Sequence, residues 1–170
     1  MAGDELYSIL AGTSGLTIAA VIALFLAMSR RGDSPEVRRR LPRIVAAAIA
    51  VQSCHFFEEW ATGFHIRFPQ LLGLSPWSAT FFVTFNLFWI VVWMLSVAGL
   101  RSRFIPAMFA VWFLAIGSVA NGVAHPVFAL TTGGYFPGLF TSPLVGAAGF
   151  WLLRALLTFT QSEAAGCQTT

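Results

Sequence analysis

Lysine is absent from this chain of 170 residues, and charge of either sign is scarce: ten arginines and seven acids leave only 10% of positions charged. Soluble domains carry about 25% charged residues, so an ordinary water-facing surface is excluded. The all-arginine usage reads as coding bias more than physics. Cysteine is nearly missing too. Cys54 falls inside an apolar run and Cys167 in the tail, which excludes a disulfide framework. Internal repeats, low-complexity tracts and a separate soluble domain are all lacking. A basic start is lacking as well: the chain opens with Asp4 and Glu5, and its first apolar run continues to about Met28 before meeting arginines. A secretion signal wants the opposite charge and a small-residue cleavage site, so a retained first span is expected.

What fills the chain instead is apolar, at 57% hydrophobic residues. Runs of about 20 apolar residues are long enough to cross a bilayer as helices. They predict an all-α membrane protein, a bundle of about five transmembrane helices forming a single integral membrane domain. The spans cover about 6–28, 41–64, 77–100, 105–130 and 139–160, followed by a short polar tail over about 161–170. Pro42, Pro76 and Pro106 sit near expected first turns, where a missing N–H costs nothing. Pro126 and Pro143 fall within or near spans and are expected to kink them.

The net charge of +3 would suggest nucleic acid in a soluble protein. Here the arginines gather at span ends, so no nucleic-acid partner is expected and the charge reads as an orientation signal. Arg30, Arg31, Arg38, Arg39, Arg40 and Arg43 lie between the first two spans, and Arg101 with Arg103 between the third and fourth. Both loops are expected on the cytoplasmic side, leaving the N-terminus outside and the C-terminus cytoplasmic. Phe68 to Leu74 is too short to span and is expected at the outer surface. The oligomeric state is not legible.

Ionisable groups inside these runs carry the functional signal. A charged side chain at the centre of a bilayer costs about 2.5–3.5 kcal/mol on insertion scales, yet the second span holds His55, Glu58 and Glu59. At about 100° per residue, Glu59 lies about 40° to one side of His55 and Glu58 about 60° to the other, with Gln52 and Thr62 in the same sector. The fourth span repeats the pattern, because Ser118, Asn121 and His125 share a face. Both spans leave the cytoplasmic side, so the two stripes are expected to meet in the outer half of the bilayer, with Asn86 of the third span near the same level. Arg154 is expected lower, snorkelling to the cytoplasmic surface or paired.

His55-x-x-Glu58-Glu59, followed by Asn121-x-x-x-His125, resembles the HXXEE family of small bacterial integral membrane proteins. The resemblance implies a membrane-embedded site built from His55, Glu58, Glu59, Asn121 and His125, and a place in a bacterial cytoplasmic membrane.

Three readings of the stripes remain open. Burial draws carboxylic acids and imidazoles toward neutrality, where proton transfer works well, so acid–base catalysis on a lipid-like substrate reaching the site from the membrane is the first. In one version His55, Glu59 and His125, or Glu58 in place of Glu59, hold a divalent metal such as zinc or iron with an open position. His65 joins them only if the chain turns back after Gly63. Proton-coupled transport is the second, and it needs a polar path from Glu59 down to Arg154. A structural hydrogen-bond network is the third, although interhelical hydrogen bonds contribute only about 0.6 kcal/mol each.

Overall fold

A computed structural model describes residues 2–29, 35–100 and 104–161. Among these the chain is entirely helical, with seven helices: α1 (Ala2–Gly12), α2 (Ser14–Ser29), α3 (Pro35–Ala61), α4 (Phe64–Leu71), α5 (Ala79–Gly99), α6 (Ile105–Thr132) and α7 (Ser142–Gln161). Arg30, Arg31, Arg101 and Arg103, on which the orientation reading leaned, lie outside the described residues, as do Cys167 and the tail beyond Gln161.

Two helices, α5 and α6, are each long and apolar enough to cross a membrane, and α1 with α2 qualifies as one bent pair. The five expected spans therefore reduce to two or three on length and composition. The reasons are local. The first run is broken at Thr13, and its halves meet at 48°. The ring of Trp77 lies where a side chain on Gly12 would be, so the break closes around an indole. The α3 helix starts at Pro35, two turns before the expected first turn at Pro42, and it carries arginines at one end and Glu58 and Glu59 at the other. In α7 the apolar stretch is short, Ser142–Thr158.

Two connections position the site. After α3 the chain turns at Gly63, whose φ of +81° is a left-handed conformation that glycine adopts without steric cost. It then re-enters helix as α4. The expected surface piece at Phe68–Leu74 is thus partly this helix, and Pro69 is buried within it. The linker from α4 to α5 is held by α1: Trp77 Nε1 donates to Ser8 Oγ at 3.1 Å, Ser8 Oγ donates to the Ser75 carbonyl at 2.6 Å, and the Glu5 carboxylate accepts from Ser78 N at 2.8 Å.

The most buried helix is α6, which packs against α7, α2 and α5, while α3 packs against α7 and α5. Val45, Val111, Trp112, Leu152 and Leu156 are fully buried in one apolar core. Against α7 the approach is backbone to backbone. A Cβ on Gly122 would stand 2.5 Å from Gly146 Cα, and one on Gly149 would stand 2.8 Å from Val119 N and 3.0 Å from Ala115 O. Small residues at such crossings supply the van der Waals contact that holds helices together in lipid.

Gly122→Val should cost roughly 1–3 kcal/mol through overpacking, read as a lower thermal unfolding midpoint in detergent. Gly117→Ala, where a Cβ meets nothing within 4 Å, should leave the midpoint unchanged or raise it.

Candidate functional site: a buried histidine–glutamate triad

The ends of α3 and α6 meet beneath the α6–α7 linker. His55 and Glu59, one turn apart on α3, meet His125 of α6, and all three are buried at 0%, 5% and 1% exposure. His55 Nε2 lies 3.2 Å from His125 Nε2, and Glu59 Oε1 lies 3.5 Å from the first and 3.3 Å from the second. The two imidazoles stand edge to face, with centroids 4.7 Å apart and planes at 89°.

The partners of the outer ring nitrogens show that each Nδ1 carries a proton. His125 Nδ1 is 2.6 Å from the Pro137 carbonyl, which only accepts, so Nδ1–H is the donor. His55 Nδ1 is 2.7 Å from Thr141 Oγ1. That hydroxyl has a single proton and gives it to Glu58 Oε2 at 2.6 Å, so the imidazole is again the donor. Each Nε2 of a neutral ring is then left with a lone pair. Two such nitrogens and a carboxylate oxygen converge within about one hydrogen-bond length, with no donor among them.

This group could hold a metal ion. Tetrahedral coordination with bonds of about 2.0–2.1 Å sets neighbouring ligand atoms about 3.3–3.4 Å apart. The three separations of 3.2, 3.3 and 3.5 Å fit one face of that tetrahedron. The outer nitrogens are held by a carbonyl and by a hydroxyl bound to a carboxylate, the supports that fix metal-binding imidazoles.

Glu58 faces elsewhere. Its carboxylate accepts from Tyr135 OH at 2.8 Å and Phe140 N at 3.0 Å through Oε1, and from Thr141 N at 2.8 Å and Thr141 Oγ1 through Oε2. Burial lifts the Tyr135 phenol above its ordinary range, which keeps its proton in place as the donor. Glu58 thereby ties the linker and the start of α7 to α3. Asn121 lies one turn below His125 on the wall of a cavity, and its side chain hydrogen-bonds no group among the described residues. His65 stacks on Phe82 apart from the triad, and its Nδ1 is buried without a partner. Arg154 is exposed on α7, and Cys54 is exposed as a free thiol.

Sequence reasoning missed Thr141, Pro137 and Gly138. Gly138 has φ +87°, and a Cβ there would stand 2.5 Å from His125 Cε1 and 2.9 Å from His55 Cε1. Its bare backbone roofs the two rings. The segment Gly133 to Pro143 is dense in turn-forming residues, but nothing in its pattern reveals that it folds over buried histidines.

Gly138→Ala should displace both rings, because the substitution is strained by its φ and blocked by the imidazoles. The expected outcome is a protein that still folds but loses the His55–His125 contact, seen as altered imidazole resonances in NMR of selectively labelled protein.

A cavity of about 270 Å³ adjoins the triad, with Glu59 and His125 in its wall beside Gln52, Asn86, Asn121 and many aromatic rings. No functionally curated protein and no solved structure is detectably similar to the chain. One family profile matches residues 45–152, and it is described as "Protein of unknown function with HXXEE motif". That stretch covers well over half of the chain and contains every member of the triad, with the motif itself as His55-x-x-Glu58-Glu59, so the chain belongs to the HXXEE family.

Proposed function

We propose that this protein is a membrane-embedded enzyme in which His55, Glu59 and His125 hold a divalent ion, zinc or iron, against a pocket for a lipid-like substrate. The observation that carries the reading is the convergence of two imidazole Nε2 atoms and one buried carboxylate oxygen within 3.2–3.5 Å, which with both rings neutral leaves no proton donor between them. A single shared proton satisfies one pair of these atoms and leaves the third facing a lone pair. A divalent ion satisfies all three. When bound, such an ion polarises a carbonyl or lowers the pKa of a bound water. The chain's own groups supply the rest: Glu59 has a second carboxylate oxygen to take a proton, and Asn121 offers an amide to orient substrate from the cavity wall.

The cavity supports an enzyme over a proton path. Below Gln52 and Ser118 its lining is Leu114, Phe113, Trp89 and Trp93. These are apolar walls, and among the groove-lining residues no polar side chain continues toward Arg154.

The proposal includes the membrane arrangement of a single domain with five spans, N-terminus outside and C-terminus inside, in a bacterial cytoplasmic membrane. By length α3 and α7 also qualify: 27 and 20 residues rise about 40 and about 30 Å at 1.5 Å each. Most of the polar side chains of α3 beyond Arg43 face neighbouring helices, which removes the objection that their charge raises against a lipid-facing span.

Protein purified without chelators should contain about one zinc or iron per chain by elemental analysis. His55→Ala, His125→Ala and Glu59→Gln should each lose nearly all of it, while Thr141→Val, which removes the support of His55 and one of the four hydrogen bonds to Glu58, should weaken affinity about 10–100-fold. Equal metal content in wild type and all three triad variants would sink the metal reading. Reporter fusions after residues 33 and 102 should be cytoplasmic and those after 72 and 134 external; any other pattern overturns the five-span arrangement.

A further inference from the structure

The cavity beside the triad is a groove. On α6 its wall runs from Phe128 to Phe113, about 22 Å at 1.5 Å per residue. On the other sides lie α5, from Phe81 to Trp93, with Trp77 of the preceding linker, and α2, through Gly15, Leu16 and Ala19. Both α2 and α5 pack on α6, but they scarcely pack on each other. A ligand entering the groove from the flank of the bundle would pass between them.

The middle of this groove is polar and neutral. Gln52 is only 7% exposed. Its carbonyl accepts from Ser118 Oγ at 3.4 Å, and its amide N–H groups meet no acceptor among the described residues. The Asn121 side chain likewise has no hydrogen-bond partner among them. Asn86 donates its Nδ2 to the Phe82 carbonyl at 2.9 Å, which leaves its Oδ1 as an acceptor. Gln52 is buried and Asn121 half-buried, and the two amides line one cavity from facing helices with hydrogen-bonding capacity to spare. Asn121 lies four residues from His125, about 6 Å deeper along the helix. Beyond these amides the lining is hydrocarbon and indole. At about 30 Å³ for each water-sized group, the 270 Å³ of space holds about nine heavy atoms, the size of a linking carbonyl and the first carbons of one chain.

We infer that this groove seats one single-chain lipid entering sideways between α2 and α5, with an uncharged carbonyl and a neighbouring hydroxyl or N–H bound by Gln52, Asn121 and Asn86. The inference rests on the proposed function, since it places the reacting end of that lipid at the triad. The amide cluster contains donors and acceptors but no cation, so it fits an ester or amide and not a phosphate. The chain continues between Trp89, Trp93 and Phe113.

The probe is 1-(9,10-dibromostearoyl)glycerol, whose bromines quench tryptophan on contact, compared with 9,10-dibromooctadecane, which has the chain without oxygen. Purified full-length protein should show saturable quenching by the glyceride, with a Kd about tenfold or more below that of the alkane, the size of one or two hydrogen bonds. Gln52→Leu combined with Asn121→Leu should bring the two probes within about threefold of each other. Gly117→Leu and Gly15→Leu place a side chain where a Cβ meets nothing within 4 Å. Each should abolish saturable quenching while leaving the bound metal and the unfolding midpoint unchanged. Equal affinity for both probes, or quenching indifferent to both leucine plugs, overturns the inference. If saturable, oxygen-dependent binding persists in protein that contains no metal, the lipid seat stands and the metal reading falls.

Discussion

Four hydrogen bonds to the carboxylate of Glu58 determine where everything else in the site lies. They fasten Tyr135, Phe140 and Thr141 to the end of α3. Once Thr141 is fixed, its hydroxyl has only its lone pairs left for His55. Once the linker is fixed, the Pro137 carbonyl stands over His125, and Gly138 lies against both rings. The tautomers of two histidines on two helices follow from the seating of one loop. Remove that seating and nothing in α3 or α6 alone compels their Nε2 atoms toward each other.

The helices and the facing stripes were legible in sequence because both are periodic. Apolar length marked α5 and α6, and the spacing of His55 with Glu59, and of Asn121 with His125, placed each set on one face. Shared height followed from both helices leaving one side of the bundle. What stayed hidden depends on contacts without a period. The break at Gly12 and Thr13 exists because Trp77, more than sixty residues away, fills the corner. The early start of α3 at Pro35 defied the expectation that a proline opens the helix near the apolar run. The division of labour between Glu58 and Glu59 was invisible, since adjacent residues on a wheel differ only in angle and the donors for Glu58 come from a loop.

That division answers the question raised by two acids side by side in an apolar helix. Glu58 accepts from two backbone amides and two hydroxyls, which offset much of the cost of its burial. Glu59 is 5% exposed, and no backbone or hydroxyl donor among the described residues reaches it. Its neighbours are two nitrogens that, in neutral rings, offer lone pairs. One glutamate is satisfied by the fold, and the other is left for something the fold does not supply. Function is expected where a structure leaves a buried polar group unmet.

The same contrast extends down the groove. Ser118 and Gln52 partly satisfy each other, Asn86 turns one end to its own helix, and the Asn121 side chain has no hydrogen-bond partner among the described residues. Interhelical hydrogen bonds that served only to hold α3, α5 and α6 together would pair these amides with one another, since each such pair is worth about 0.6 kcal/mol and an open amide gains nothing. The glycines at the α6–α7 crossing already provide close backbone contact without polar groups. The bundle therefore does not need the amides for cohesion, and their free ends face the space that leads to Glu59 and His125. A row of unmet hydrogen-bonding groups, ending at a cluster of unmet lone pairs, is the arrangement expected of a surface built to receive a molecule.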